Sequence, residues 1–281
     1  MERIAIQELS AYWKKQYLQQ KDLSSFQAED NDFKEISIRT REKFNLNYFP
    51  QPFYGYFEED MKNDVLVPLI NPGSLNASDV LKQFPSDSEI ESRKQWNLNI
   101  VERHCTNIWT KEVFHQKERE YDRVFGGKNK HWRGRKLIEV RQLLGEDIGF
   151  LHTIEFFPFH SDSWKVSKKD RETLYNLPST IHAIRVLEEI ASTRAVRHIL
   201  GIGLPWIDIL SHYSNLFVLE DCKTLKGPKG KVGQRFYKFK PVRNSEGLPL
   251  VIYSTSSMNL PTNQEGVDII LEFLEHNRIF V

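Results

Sequence analysis

Three short apolar runs, each stopped by a polar loop, constrain the fold of this chain more than any other feature. Residues 64–70, 149–157 and 196–203 have the length and apolar content of buried strands. Helical patterns lie between them, and a further strand is predicted at residues 248–253. Strands that alternate with helices predict an α/β fold, a three-layer sandwich with a mainly parallel central sheet flanked by helices.

The loops that follow three of these strands predict where a site lies. They are the Asn-Pro-Gly-Ser segment at 71–74, the Pro-Phe-His-Ser segment at 158–161, and the serine-rich segment at 254–259. Ligands of parallel α/β sheets bind beyond the carboxyl ends of the strands. We therefore expect the three loops to converge on one crevice.

Charge and cysteine content exclude several classes of protein. The 281 residues carry a formal net charge of +1, so any attraction for nucleic acid must come from local positive charge. Two cysteines supply neither a disulfide framework nor a four-cysteine zinc or iron–sulfur site. The amino terminus lacks the apolar core of a signal peptide, and no apolar run approaches the roughly 20 residues that span a bilayer. We expect a cytoplasmic monomer with no membrane partner and no cofactor.

A basic arm at residues 223–243 contains eight lysines or arginines and no acid, and it includes Phe236, Tyr237 and Phe239. Positive charge interleaved with aromatic rings suits backbone tracking and base stacking on single strands. A solvated hairpin is the alternative interpretation. Residues 128–136 form a second basic segment that could contact phosphate.

The ordered loops resemble motifs of the uracil-DNA glycosylase superfamily. A strand followed by Asn-Pro-Gly is similar to the first motif of its mismatch-specific and single-strand-selective branches. Residues 254–259 resemble the second motif, the loop that enters DNA where the base leaves. The resemblance covers roughly residues 48–276 and implies the fold of that superfamily and excision of a base from DNA. It leaves a helical amino-terminal extension, 1–45, before the glycosylase-like domain, 46–281, which carries the basic arm.

The resemblance also implies roles for particular residues. Asn71 would orient the attacking water, and His160 would assist the leaving base. Glu155 stands where the superfamily keeps a base-reading asparagine. An ionised carboxylate only accepts hydrogen bonds, so it would select an exocyclic amino group, as on cytosine. A carboxyl protonated by burial would instead donate to a carbonyl oxygen, and a structural carboxylate paired with Arg or Lys is the alternative.

The remaining expected contacts follow from the same loops and from the arm. Contacts to a base flipped out of the helix are expected from Phe156, Phe157, Tyr54, Pro72 and Gly73. Contacts to DNA are expected from Ser256, Ser257, Met258, Asn259, Lys229, Lys231, Arg235 and Lys238. Ordinary packing or turn formation is the alternative for each of these residues.

The expected function is therefore a DNA glycosylase, a hydrolase that removes a non-standard or modified base, in DNA repair or in defence against foreign DNA such as that of phage. A non-catalytic nucleic-acid-binding protein with the same fold is the main alternative. The Gly-Ile-Gly segment at 201–203 suggests a nucleotide-binding loop but lacks a third glycine. A metal-dependent nuclease would need a carboxylate cluster with ligand spacing, which the sequence does not offer.

Overall fold

A computed structural model describes residues 3–24, 26, 33–34, 36–57, 61–73, 77–85, 88–105, 107–125, 132–162, 164–227, 232–254 and 259–274. The chain forms two compact units whose segments alternate along the sequence. The first unit comprises Met1–Glu58, Ile70–Asn129 and Ile154–Val186, and the second comprises Glu59–Leu69, Lys130–Thr153 and Leu187–Val281.

Helices and strands together confirm the α/β class. The helices are α1 (Ile4–Leu18), α2 (Ile38–Arg41), α3 (Ala77–Gln83), α4 (Glu89–Ile100), α5 (Lys111–Phe125), α6 (Trp132–Leu144), α7 (Lys168–Tyr175), α8 (Pro178–Thr193), α9 (Pro205–His212) and α10 (Gln264–Phe273), with a π-helical turn at Val101–Cys105. The strands are β1 (Phe44–Asn45), β2 (Phe53–Tyr54), β3 (Met61–Leu69), β4 (Leu151–Glu155), β5 (His160–Ser161), β6 (Val196–Ile202), β7 (Phe217–Lys226), β8 (Val232–Pro241) and β9 (Leu250–Ser254). Within the described part of the chain, no helix is both long enough and apolar enough to cross a membrane.

The sheet of the second unit is mixed, which corrects the expectation of a mainly parallel sheet. Its strands stand in the order β4-β3-β6-β9-β8-β7. The β3–β6 and β6–β9 pairs are parallel, whereas β9–β8 and β8–β7 are antiparallel. The difference arises from the basic arm: its two extended segments form a hairpin, and a hairpin joins a sheet as antiparallel strands without a crossover.

Buried apolar side chains of the central strands and of α6 and α10 form the core of the second unit. Val65, Leu200 and Val251 come from the parallel strands, and Val140 and Ile270 come from the two helices. All five are fully buried. Each such side chain contributes about 1.5–3 kcal/mol when it leaves water. This burial explains why β3, β6 and β9 are nearly continuous apolar runs in the sequence.

Packing explains the Gly-Ile-Gly segment at the end of β6. A Cβ at Gly201 would overlap Ile252 of the neighbouring strand. Gly203 has a φ of +120°, and its N–H donates to the carbonyl oxygen of Tyr253 at 2.9 Å. Because this N–H is engaged and Pro205 begins α9, the segment lacks the open N–H groups of a phosphate-binding loop.

Aromatic side chains form the core of the first unit. Trp13 of α1 lies 6.3 Å from Phe49 and 6.2 Å from Phe159, measured between ring centroids. Phe26 lies 5.0 Å from Phe49. The segment that we expected to be an amino-terminal extension therefore supplies part of this core.

A buried carboxylate connects α2 to α7 in the first unit. Asp170 accepts hydrogen bonds from the side chains of Ser37, Thr40 and Ser167, and from the backbone N–H of Ser37. Burial raises the pKa of Asp170, but these hydrogen bonds lower it by more, so the pKa lies well below its usual range. The ionised form of Asp170 therefore stabilises the folded state.

Candidate active site

Backbone hydrogen bonds hold the loop after β3 beside the loop after β4, within the first unit. The N–H of Phe157 donates to the carbonyl oxygen of Ile70 at 2.8 Å, and the N–H of Ser161 donates to that of Pro72 at 3.3 Å. Two of the three loops that we expected to converge are therefore adjacent. Of the third loop, residues 255–258 lie outside the described residues, so the DNA contacts expected from Ser256, Ser257 and Met258 stay predictions.

The side chain of Asn71 is held in one orientation. Its Nδ2 donates to the carbonyl oxygen of Pro72 at 2.7 Å and to that of Ser161 at 3.3 Å. Carbonyl oxygens only accept hydrogen bonds, so the amide nitrogen must face them. None of the described residues donates to Oδ1. The half-buried amide therefore offers an acceptor whose direction is set by the backbone.

His160 is buried in β5 and faces the same loop. Its Nδ1 lies 2.9 Å from the carbonyl oxygen of Gly73. Because a carbonyl oxygen cannot donate, Nδ1 carries the hydrogen, and Nε2 of the neutral ring is an acceptor. Nε2 could therefore donate a hydrogen bond to a departing base only in the imidazolium form.

Glu155 is the last residue of β4, and it is only 2% exposed. Its backbone N–H donates to the carbonyl oxygen of Pro52 at 2.9 Å. With the backbone donor engaged, only the carboxyl group of Glu155 could read a base. The structure thus places a carboxyl group at the strand end where the sequence predicts the base-reading residue.

Both phenylalanines that follow Glu155 are packed inside the first unit. Phe156 is fully buried and lies 5.6 Å from the ring of Tyr175. Phe157 is also fully buried, between the rings of Phe44 at 4.6 Å and Phe159 at 4.9 Å. Side chains enclosed in this way have no exposed ring face, so the structure favours core packing over stacking on a base.

The two residues after Asn71 differ in accessibility. Pro72 is buried, whereas Gly73 is exposed. Apart from Gly73 and its chain neighbours, no atom of the described residues lies within 4 Å of the position that a Cβ on Gly73 would occupy. Because Gly73 has no side chain, its backbone leaves room for close approach by another molecule.

Tyr54 belongs to a polar cluster that the sequence did not reveal. Its hydroxyl donates to Oε2 of Glu118 at 2.7 Å, and Arg103 donates to Oε1 of the same carboxylate. The ring of Tyr54 also lies 5.5 Å from that of His104 in the π-helical turn. Glu118 is one of several acids on the charged helix α5, so nothing in the sequence distinguishes it.

The cations of the two basic segments are not equally available. Lys238 Nζ lies 2.7 Å from a carboxylate oxygen of Glu220, so the charge expected to contact DNA is paired within the hairpin. In the other segment, Lys136 is buried and pairs with Glu139 at 2.5 Å. Arg235 and Asn259 are exposed. Lys229 and Lys231 lie outside the described residues.

The described residues contain no group of three or more His, Cys, Asp or Glu side chains that could hold a metal ion. No protein-family model matches the chain, and neither the curated proteins nor the solved structures provide a match.

Proposed function

We propose that this protein is a DNA glycosylase in which Asn71 positions the water that attacks the sugar. The observation that carries the proposal is the fixed amide of Asn71. Both nitrogen-bound hydrogens are directed at backbone carbonyls of Pro72 and Ser161, which leaves Oδ1 to accept from a water molecule. A residue that only shapes a turn does not need a hydrogen bond to a distant strand.

The reaction suits an amide of this kind. In N-glycosidic hydrolysis, the C1′–N bond breaks first to give an oxocarbenium-like sugar and a base anion, and water oxygen then bonds to C1′. An amide oxygen is a poor general base, so Asn71 would orient water instead of deprotonating it early. The proton that water loses ends on solvent or on the departed base.

His160 would hold the loop after β3 in place instead of contacting the departing base. Its Nδ1–H donates to the carbonyl oxygen of Gly73 at 2.9 Å, and its Nε2 is enclosed by the protein, so a base could reach Nε2 only if the loop moved.

Glu155 would select the base. An ionised carboxylate accepts from an exocyclic amino group such as N4 of cytosine, and it repels the O4 acceptor of uracil or thymine. With Glu155 ionised, the proposed substrate is a modified cytosine-like base in DNA; a carboxyl protonated by burial would instead select a base that presents a carbonyl oxygen. Its removal fits either repair or defence against foreign DNA.

A glycosylase assay tests the proposal. Labelled single- and double-stranded DNAs containing uracil, mismatched thymine, hypoxanthine, cytosine, or hydroxymethylated or glucosylated cytosine would be incubated with the full chain, and abasic sites would be scored. The control variant is Asn244→Ala, because Asn244 Nδ2 also donates to a backbone carbonyl, that of Ser192, at 2.7 Å. Abasic sites from wild type and Asn244→Ala but not from Asn71→Ala would support the proposal.

If no DNA of the panel yields abasic sites while DNA binding is retained, the result would instead favour a nucleic-acid-binding protein without catalytic activity.

A further inference from the structure

The hairpin formed by β7 and β8 has two faces with different electrostatic character. One face is turned toward α10: Lys223 Nζ lies 2.5 Å from Glu272 and 5.4 Å from the ring centroid of Phe273. Lys238 is on the same face of β8 as the buried Phe236, two residues away, and it pairs with Glu220 at 2.7 Å. The cations of this face are therefore neutralised within the protein.

Lys240 is also unavailable, because it is 8% exposed and its Nζ donates to the carbonyl oxygen of Gly247 at 3.2 Å. Three of the eight lysines and arginines of the arm are thus engaged within the protein. A count of charges in the sequence overestimates what this arm presents to a ligand.

The opposite face, which we call the open face, consists of Cys222, Thr224, Lys226, Arg235 and Tyr237. Cα pairing places Thr224 opposite Arg235 and Cys222 opposite Tyr237. Four of these residues are exposed, and Tyr237 is half-buried. The five include two cations, one aromatic ring and no acid. Among the described residues, no carboxylate forms an ion pair with Lys226 or Arg235.

Arg235 and Tyr237 are the two residues of the open face that suit a nucleic acid best. They are two positions apart on β8, so their side chains project from the same side about 6.8 Å apart. Arg235 also pairs across the sheet with Ser254, the last residue of β9, which leads into the loop that we expected to enter DNA.

We propose that the open face binds single-stranded DNA, with Arg235 and Lys226 on phosphates and the ring of Tyr237 against a base. The choice of DNA rests on the proposed glycosylase function. Guanidinium and ammonium groups supply the sequence-independent phosphate contacts, and an aromatic ring stacks on any base. The surface matches a negatively charged, unpaired strand, whose bases are accessible for stacking.

Binding of a fluorescent thymidine oligonucleotide to the full chain, at several salt concentrations, tests this proposal. Arg235→Ala should weaken binding and reduce the slope of log affinity against log salt by about 0.7, the value for one phosphate contact on a single strand. Tyr237→Ala should weaken binding about tenfold and leave the slope unchanged, because stacking releases no counterion. Lys238→Ala, which removes one charge from the other face of the same strand, is the matched control and should change affinity less than twofold.

Equal losses for Arg235→Ala and Lys238→Ala, or no loss for Arg235→Ala, would overturn the proposal. Cys222 provides a second test that needs no substitution, because it is exposed at one end of the open face, opposite Tyr237. The oligonucleotide should slow alkylation of Cys222, measured on the peptide that contains it. Unchanged alkylation at saturating oligonucleotide would also contradict the proposal.

These readouts separate the two proposals. Base excision that persists in Arg235→Ala with unchanged affinity would reject the open face and leave the glycosylase proposal standing. Binding through the open face without any abasic product would reject catalysis and leave the open face standing.

Discussion

The carbonyl oxygen of Ser161 accepts a hydrogen bond from Nδ2 of Asn71, which precedes it by 90 residues. Together with the carbonyl oxygen of Pro72, it fixes which atom of the amide is presented outward. Asn71→Asp would replace the donor by a carboxylate oxygen that faces two acceptors. We expect a loss of about 1–3 kcal/mol in the free energy of unfolding at pH 7, measured by urea titration. An unchanged stability would show that these hydrogen bonds do not orient Asn71.

Asp170 should make the stability of the protein depend on acidic pH. Burial raises the pKa of Asp170, but hydrogen bonds from Ser167, Ser37 and Thr40 lower it by a larger amount. The pKa of Asp170 in the folded protein is therefore depressed. A depressed pKa stabilises the protein above the unfolded value of about 3.9, and the stabilisation is lost as pH falls through that value toward the folded pKa.

Asp170→Asn should therefore cost about 2–3 kcal/mol at pH 7, and progressively less below about pH 4. Urea titrations at pH 7 and pH 3 measure this difference. Asp268→Asn is the control, because Asp268 is exposed and, within the described part of the chain, accepts a hydrogen bond only from Gln264. A penalty that is the same at both pH values would contradict the assignment of an ionised Asp170.

The buried pair of His152 and Asp64 should be a major stabilising contact of the second unit. His152 Nε2 lies 3.0 Å from Oδ2 of Asp64, and both side chains are almost fully buried. Asp64→Ala removes a carboxylate acceptor from the buried ring of His152, so it should cost about 1–3 kcal/mol, the range for losing a hydrogen bond to a buried polar group. Asp147→Ala breaks the exposed pair with Arg197 and should cost less than about 1 kcal/mol. Thermal unfolding of the two variants gives the comparison, and similar losses would refute the prediction.

Glu155→Gln should change which base is removed. Glutamine both donates and accepts, so the repulsion of a carbonyl acceptor disappears and discrimination between cytosine-like and uracil-like bases should fall about tenfold or more. The ratio of excision rates on the two bases measures this change. Glu188→Gln is the control for loss of a buried carboxylate, because Glu188 accepts a hydrogen bond from its helical neighbour Ser192 at 2.7 Å and lies outside the proposed site. An unchanged ratio for Glu155→Gln would remove Glu155 from base selection.

Much of the sheet could be predicted from the sequence, because buried strands are encoded locally. The apolar runs at 64–70 and 196–203 correspond to β3 and β6, and the break at 227–230 lies between β7 and β8. The antiparallel part of the sheet could not be predicted in this way. It arises because residues 235–239 of the hairpin pair with β9, which is a contact between distant segments of the chain.

The candidate site was predictable in its residue types but not in its geometry. Asn71 and Glu155 stand out because polar residues follow buried strands. One carbonyl oxygen that orients Asn71 belongs to the backbone of Ser161. Every residue has a backbone carbonyl, so the sequence does not indicate which one contacts Asn71. The ion pair of Lys238 could not be predicted from the sequence either, because Glu220 becomes adjacent to Lys238 only when the hairpin forms.

The most direct test of the account is single-turnover base release by Asn71→Ala, compared with wild type and Asn244→Ala on the best DNA of the panel. Free base would be detected by mass spectrometry, and DNA affinity would be measured on the same samples. Water positioned by Asn71 predicts a rate that falls about 100-fold or more in Asn71→Ala, with DNA affinity close to wild type and the protein still folded at the assay temperature. Base release at the wild-type rate from a folded Asn71→Ala protein would contradict the central claim.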